Sequence, residues 1–177
     1  MAAAPVFMLI VARPTREGVL FGLPFVVVGE AARLWAAGYV TKLSKLVTAG
    51  PYAMCRNPMY LGMFLICLGY FAMCGRLEVW IGGAALFWLF HGGAVLHEER
   101  LLADRFGEQY ARYCRRVRRF VPRWRGLVGN GTFSWRQLVM NNEHLALAAT
   151  VIMCAIFIAN ACSTEPSPLQ WIASIRP

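Results

Sequence analysis

Arg56, Asn57, Pro58 and Tyr60 stand at the mouth of an apolar stretch, and about forty residues later a second apolar stretch ends in His97-Glu98-Glu99-Arg100. A guanidinium and an amide beside the free N–H groups of a helix start, facing paired carboxylates, can hold a ligand that carries both carboxylate and ammonium groups. Two apolar segments running out and back return the chain to the side it left, so the two polar clusters are expected to meet at one membrane face. Ionisable residues this close to hydrocarbon are costly and are candidates for function by default.

Each residue also has a plainer explanation. Asn57-Pro58 is a good helix start, with asparagine as N-cap and proline in the first turn. Arg56 can snorkel to lipid headgroups, and Tyr52 and Tyr60 can be interfacial aromatics. Glu98 and Glu99 can be a solvated pair neutralised by Arg100 or Arg105. What favours chemistry is that all of them fall at the same face.

The elements that would position them are apolar. Of 177 residues 58% are hydrophobic and only 15% are charged, with a mean hydropathy of +0.49. Soluble domains carry about 25% charged residues, so a membrane protein is expected. Val19–Val40 is one apolar segment, interrupted by Glu30 and Arg33; Pro58–Gly75 and Leu77–His97 are two more. These are expected to be the full spans. Residues 1–12 and Leu145–Asn160 are shorter than the ~20 residues a crossing needs. No basic residue precedes residues 1–12, so a cleavable leader is the weaker reading of them.

The formal net charge is +9, sixteen of the eighteen cationic residues are arginine, and nine of these lie between Arg100 and Arg125. Beside apolar spans such a block points to anionic headgroups rather than to nucleic acid. Lys42, Lys45 and Arg56 fall at the same end as this block, whereas Cys74–Glu78 at the other end holds one Arg and one Glu. The positive-inside rule therefore expects the Gly50–Pro58 loop and the Glu98–Arg125 region in the cytoplasm.

From Glu98 onward Leu102, Phe106, Tyr110, Tyr113 and Val117 recur at helical spacing and form one apolar stripe. The expectation is an amphipathic cytoplasmic helix, weakened at Gly107 and limited by Pro122 at about Val121, lying on the membrane or folding over a pocket. Arg125–Gly131 reads as a loop. The expected fold is all-α: a multi-spanning helical bundle of about four to five membrane helices plus the cytoplasmic helix. It forms one domain over 1–177, with a motif-bearing core at 18–125 and a C-terminal loop and last membrane-associated helix at 126–177. The six cysteines make no C-x-x-C pair, and His91 and His97 are six apart, off the spacing of a zinc-binding H-E-x-x-H. No metal is expected.

The run Gly50-Pro51-Tyr52, then Arg56-Asn57-Pro58-Met59-Tyr60-Leu61-Gly62, then Glu98-Glu99-Arg100-Leu101-Leu102, Phe106 to Tyr113 and Val117 to Arg123 resembles the isoprenylcysteine carboxyl methyltransferase family and its phospholipid-methyltransferase relatives. The resemblance covers roughly residues 18–125. It implies a multi-pass membrane enzyme that binds S-adenosylmethionine between the helix hairpin and the C-terminal cytoplasmic segment. Arg56, Asn57, Pro58 and Tyr60 match its Arg-His-Pro-x-Tyr motif, Glu98-Glu99 its paired glutamates, and Tyr110 and Arg119 its later tyrosine and basic residue. The implied site has Arg56 and Glu99 as catalytic residues, with Asn57, Pro58, Tyr60, His97, Glu98, Glu99, Tyr110 and Arg119 around the cofactor.

Two positions depart from that pattern. Asn57 replaces a histidine, so it exchanges hydrogen bonds but carries no charge. Val117-Arg118 stands where Val-Pro is usual. A carboxylate acceptor would need no general base, whereas an amine or thiol would need one, for which Glu99 or His97 is nearest. The implied substrate is a lipophilic small molecule or lipid-linked carboxylate, in a bacterial inner membrane with the site facing the cytoplasm. Two other readings are a non-catalytic scaffold or lipid-binding protein, and a nicotinamide-dependent membrane reductase of related fold.

Overall fold

The computed structural model describes residues 12, 14–40, 45–123 and 129–164; the apolar stretch 1–12 lies almost wholly outside these, as do residues 125–128 of the expected loop. Among the described residues all regular structure is helical: α1 (Arg16–Ala37), α2 (Pro51–Met54), α3 (Pro58–Met73), α4 (Leu77–Arg116), α5 (Trp135–Met140) and α6 (Glu143–Thr164). Helices α1, α4 and α6 are long and apolar enough to cross a membrane. The chain is an integral membrane protein.

The spans differ from the sequence expectation in two places. Helix α6 has 22 residues, because it continues past the apolar core through Asn160 to Thr164, and is long enough to span. Helix α3, expected as a full span, has only 16 residues and rises about 24 Å, less than the ~30 Å of hydrocarbon. It ends at Cys74 because Gly75 turns the chain with φ 66°, a conformation that favours glycine.

Helices α1 and α3 run antiparallel in close contact, and glycine is the reason. A Cβ on Gly29 would lie 2.6 Å from the Gly62 carbonyl oxygen, and one on Gly62 equally close to the Gly29 oxygen. Gly22 and Gly69 meet in the same way at 2.4 and 2.7 Å. Each helix carries its two glycines seven residues apart, so both lie on one face. In lipid, such small-residue seams let helices gain dispersion contact that no hydrophobic effect supplies. At the far end Val19, Ile66, Met73 and Phe157 close a core among α1, α3 and α6.

Nearer the other end Arg33 Nη2 donates to Glu143 Oε2 at 2.6 Å and fastens the start of α6 to α1. Glu30 lies one turn from Arg33, 3.5 Å away, and accepts the Thr150 hydroxyl.

Helix α4 covers 40 residues and bends at Gly107; the 30 residues before the bend rise about 45 Å at 1.5 Å per residue. Its first half spans and its second half projects from the membrane. The amphipathic stretch continues the span only as far as Phe106; at Gly107 (φ 48°, ψ −123°) the backbone leaves helical geometry, and residues 108–116 form a second helical piece. Its stripe is as expected: Tyr110 and Tyr113 are buried with Leu46, and Leu102, Phe106 and Val117 pack beside them. The helix stops at Arg116, five residues before Val121, because the residues after Val117 are drawn into extended pairing.

Candidate functional site

That pairing builds the site. The Arg56 N–H donates to the Arg118 carbonyl at 2.8 Å and the Asn57 N–H to the Arg119 carbonyl at 3.2 Å; the Arg123 N–H returns to the Met54 carbonyl at 3.0 Å. Residues 118–123 therefore run beside the entrance to α3. They satisfy backbone donors that would otherwise be orphaned at a helix start. At 118 only the carbonyl is used, and proline has one too. Arg118 thus keeps the bond that the more usual residue would make.

Asn57 occupies the N-cap position of α3 but makes no side-chain cap bond. Its amide turns across to α4, donating to Glu99 Oε1 at 3.0 Å and to the Arg119 carbonyl at 3.4 Å. The expected capping role is thus replaced by a bond between helices. A histidine N–H could donate in the same way, so asparagine preserves this bond. Arg119 grips the Glu99 carboxylate with Nε at 3.1 Å and Nη2 at 2.8 Å, the fork geometry arginine favours. Arg56 Nη2 stands 3.7 Å from the same carboxylate, while Nη1 donates to Cys114 Sγ at 2.7 Å. Asn57 and Glu99 are 7% and 8% exposed, so this is a desolvated network rather than a solvated face.

Electrostatics follow the geometry. Burial works against the Arg56 charge, but the Glu99 carboxylate, Cys114 and Tyr110 together outweigh it and hold the guanidinium more firmly protonated. Burial, and then Glu98, push the Tyr52 phenol up. Burial raises the Cys55 thiol to about 11. Among the described residues, Arg56 Nε is buried without a hydrogen-bond partner.

The expected site residues do not all play the same part. Arg56, Asn57, Glu99 and Arg119 converge. Tyr110 is buried beside Arg56 and Cys114. Pro58 is buried in the first turn of α3, and Tyr60 stands near enough to Glu98 to feel its charge. Glu98 is exposed, as is His97, which makes no hydrogen bond among the described residues. Sequence reasoning passed over Cys114, which takes one Arg56 nitrogen, and read Tyr52 as an interfacial aromatic, whereas its carbonyl accepts the Tyr113 hydroxyl at 2.7 Å. Cys114 sits one position beyond Tyr113 on the stripe, a signal too weak to single out a thiol. Beyond Tyr110 a cavity of about 590 Å³ opens between Tyr39, Lys45, Phe106, Gln109, Asn130 and Thr132.

The fold and this cluster define a multi-pass membrane protein with a polar site closed by a returning segment at one end of a helix hairpin. The phospholipid methyltransferase family matches residues 22–109. The cobalt-zinc-cadmium resistance protein CzcN of Cupriavidus metallidurans is 38% identical over 115 residues, 64% of this chain and 53% of that protein. The nickel-cobalt-cadmium resistance protein NccN of Alcaligenes xylosoxydans xylosoxydans is 36% identical over 104 residues, 58% of this chain and 48% of its own length. Protein-S-isoprenylcysteine O-methyltransferase B of Arabidopsis thaliana is 34% identical over 115 residues, 58% of each chain. No solved structure matches significantly. The chain is similar to the phospholipid methyltransferase family over residues 22–109 and to isoprenylcysteine O-methyltransferases over about the same region. It spans about half the length of the curated relatives it matches.

Proposed function

We propose that the protein is a membrane methyltransferase that takes a methyl group from S-adenosylmethionine and delivers it to a lipophilic small molecule or a lipid-linked carboxylate. The observation that carries this reading is the convergence of Arg56, Asn57, Glu99 and Arg119, drawn from both ends of the family motif, beside a carboxylate left free at Glu98. The residues fit the cofactor. Glu98 offers uncommitted negative charge to an ammonium or sulfonium. The buried Arg56 Nε is an unfilled donor; a separate cavity, walled off from the cluster by Leu46 and Tyr110, offers the aromatic rings of Tyr39 and Phe106 and the amides of Gln109 and Asn130, groups of the kind a nucleoside uses.

When bound, S-adenosylmethionine supplies a methyl already activated on sulfur, so the protein's task is alignment more than bond chemistry. Glu98 and Tyr60 hold the cofactor, with Tyr110, Pro58 and the 118–119 backbone shaping its surroundings. Asn57 and Arg119 fix Glu99, which in turn orients Arg56. Arg56 faces the acceptor, where its planar fork aligns a nucleophile better than lysine would. The unequal division of basic residues supports a cytoplasmic orientation for this end, in a bacterial inner membrane. The metal-resistance names of two relatives concern those proteins; no observation on this chain favours a second reading.

Titration of the detergent-purified protein tests the proposal. Ligand at about a hundred times its dissociation constant should raise stability by about 2.7 kcal/mol. No thermal shift and no calorimetric signal at millimolar cofactor would sink it.

A further inference from the structure

Helices α3 and α4 face each other through a ladder of side chains. Phe71 lies against Gly83, Phe64 packs on Phe87 with ring centroids 5.1 Å apart, and Tyr60 meets His91 edge-on at 6.3 Å. The next rung is the Asn57–Glu99 hydrogen bond. His91 thus occupies the last rung before the polar site, with Tyr60, which it meets edge-on, lying between it and Asn57 in the first turn of α3. Tyr60 and His91 are both part-exposed, so the imidazole is reachable from outside the helix pair.

The imidazole is also held in one tautomer. Its ring stacks on Phe87 at 4.4 Å and 15°, and Nδ1 lies 3.0 Å from the Phe87 carbonyl oxygen. A carbonyl can only accept, so Nδ1 carries a proton, and in the neutral ring Nε2 then presents a lone pair. Nε2 makes no hydrogen bond among the described residues. A phenylalanine would serve the stack equally well, so packing does not account for a ring nitrogen at this depth.

We infer that His91 Nε2 accepts the proton of the methyl acceptor, and hence that this acceptor is a lipophilic molecule whose nucleophile carries one: a thiol, an amine or a phenol. This rests on the methyl-transfer reading and selects within it. As the bond from the acceptor's heteroatom to the methyl carbon forms and the sulfur–methyl bond breaks, the donor leaves as its neutral thioether. The displaced proton moves to Nε2 and from there to water. A carboxylate acceptor, ionised beforehand, would leave His91 idle.

Two measurements on the full-length protein in detergent test this. Without any methyl donor, 4-nonylphenol should slow carbethoxylation of His91 by diethylpyrocarbonate several-fold, read by mass spectrometry, while its methyl ether, which cannot donate, should not. Equal protection by both overturns the assignment. With S-adenosylmethionine, His91→Phe should cost roughly 100-fold or more in turnover of dodecanethiol, the usual contribution of a general base. The loss should be under about tenfold for an alkylated thiophenol, which enters already ionised, and cofactor affinity should stay within about twofold of wild type. A purely structural role would lower both rates alike, and that result overturns the proposal. So does turnover of N-acetyl-S-farnesylcysteine but of no thiol, amine or phenol, an outcome that leaves the methyl-transfer reading intact. Failure to bind S-adenosylmethionine sinks that reading instead, and the phenol comparison still decides whether His91 receives a proton donor.

Discussion

Glu99 is committed to Arg119 and Asn57, while Glu98, one residue earlier, faces outward beside Tyr60. Their substitutions should therefore fail differently. Glu99→Gln removes the charge that a buried network is built to hold and should cost about 2–4 kcal/mol in stability, somewhat reduced because Arg119 is partly solvated. Glu98→Gln should leave the unfolding midpoint nearly unchanged in thermal melts and weaken cofactor binding by about 1.5–3 kcal/mol, the worth of a charge-assisted bond. A Glu98 variant that unfolds early but binds normally would reverse the assignment. Cys55 supplies a pH signature. Its folded pKa of about 11 lies above the unfolded value of 9.0, so its stabilising contribution is complete below pH 9 and is lost as pH rises towards 11. In denaturation curves from pH 8 to 11, Cys55→Ala should flatten the alkaline fall relative to wild type. Arg56, Asn57 and Glu99 were visible in the sequence as charge and amide near hydrocarbon. That Asn57 bonds across to α4 was not, because an Asn-Pro helix start looks the same whichever way the amide points.

Among the elements, the α1–α3 seam depends on four glycines. Gly62→Val would drive a branched side chain into the Gly29 carbonyl and the Arg33 stem. Overpacking of this kind costs about 1–3 kcal/mol or more. Differential scanning fluorimetry in detergent should show a lower midpoint for Gly62→Val and little change for Gly82→Val, since a Cβ on Gly82 meets nothing within 4 Å. The stripe Leu102, Phe106, Tyr110, Tyr113 and Val117 was legible because helical periodicity survives in a local window. The glycine pairs were not, since their meaning lies in a partner helix forty residues away. The Arg33–Glu143 pair spans 110 positions, beyond any local pattern. The end of α4 at Arg116 was misjudged for a related reason. Pro122 is a local stop signal, but the donors that unwind the chain earlier belong to residues 56 and 57.

For the whole molecule, α1 and α4 run toward the site and α3 and α6 away from it, so residues 45–57 and 98–123 share one face and Gly75-Arg76 lies at the opposite one. With the basic residues concentrated at the site, that face should be cytoplasmic. A single cysteine introduced at position 76, in a background freed of native cysteines, should react with an impermeant maleimide from outside intact cells. Reaction only after the membrane is opened would invert the orientation. Composition alone revealed the all-helical membrane architecture, because 58% apolar residues leave few other folds. The distribution of span lengths was harder to read, as hydropathy does not show where a helix keeps its hydrogen bonds beyond its apolar core.

Helix α4 has few neighbours inside the membrane. Besides the aromatic ladder and the packing of Tyr110 and Tyr113 on Leu46, what ties it to the bundle is largely the site itself: the Glu99 network, the Arg56–Cys114 and Tyr113–Tyr52 bonds, and the 118–123 backbone clasped on residues 54–57. The machinery is thus also the fastening. An inactive variant here can be a protein whose longest helix has come loose, and abundance in the membrane has to be known before any lost turnover is charged to chemistry. Over generations the same handful of atoms answers to two selections at once, which narrows the paths by which this pocket could come to accept a new molecule.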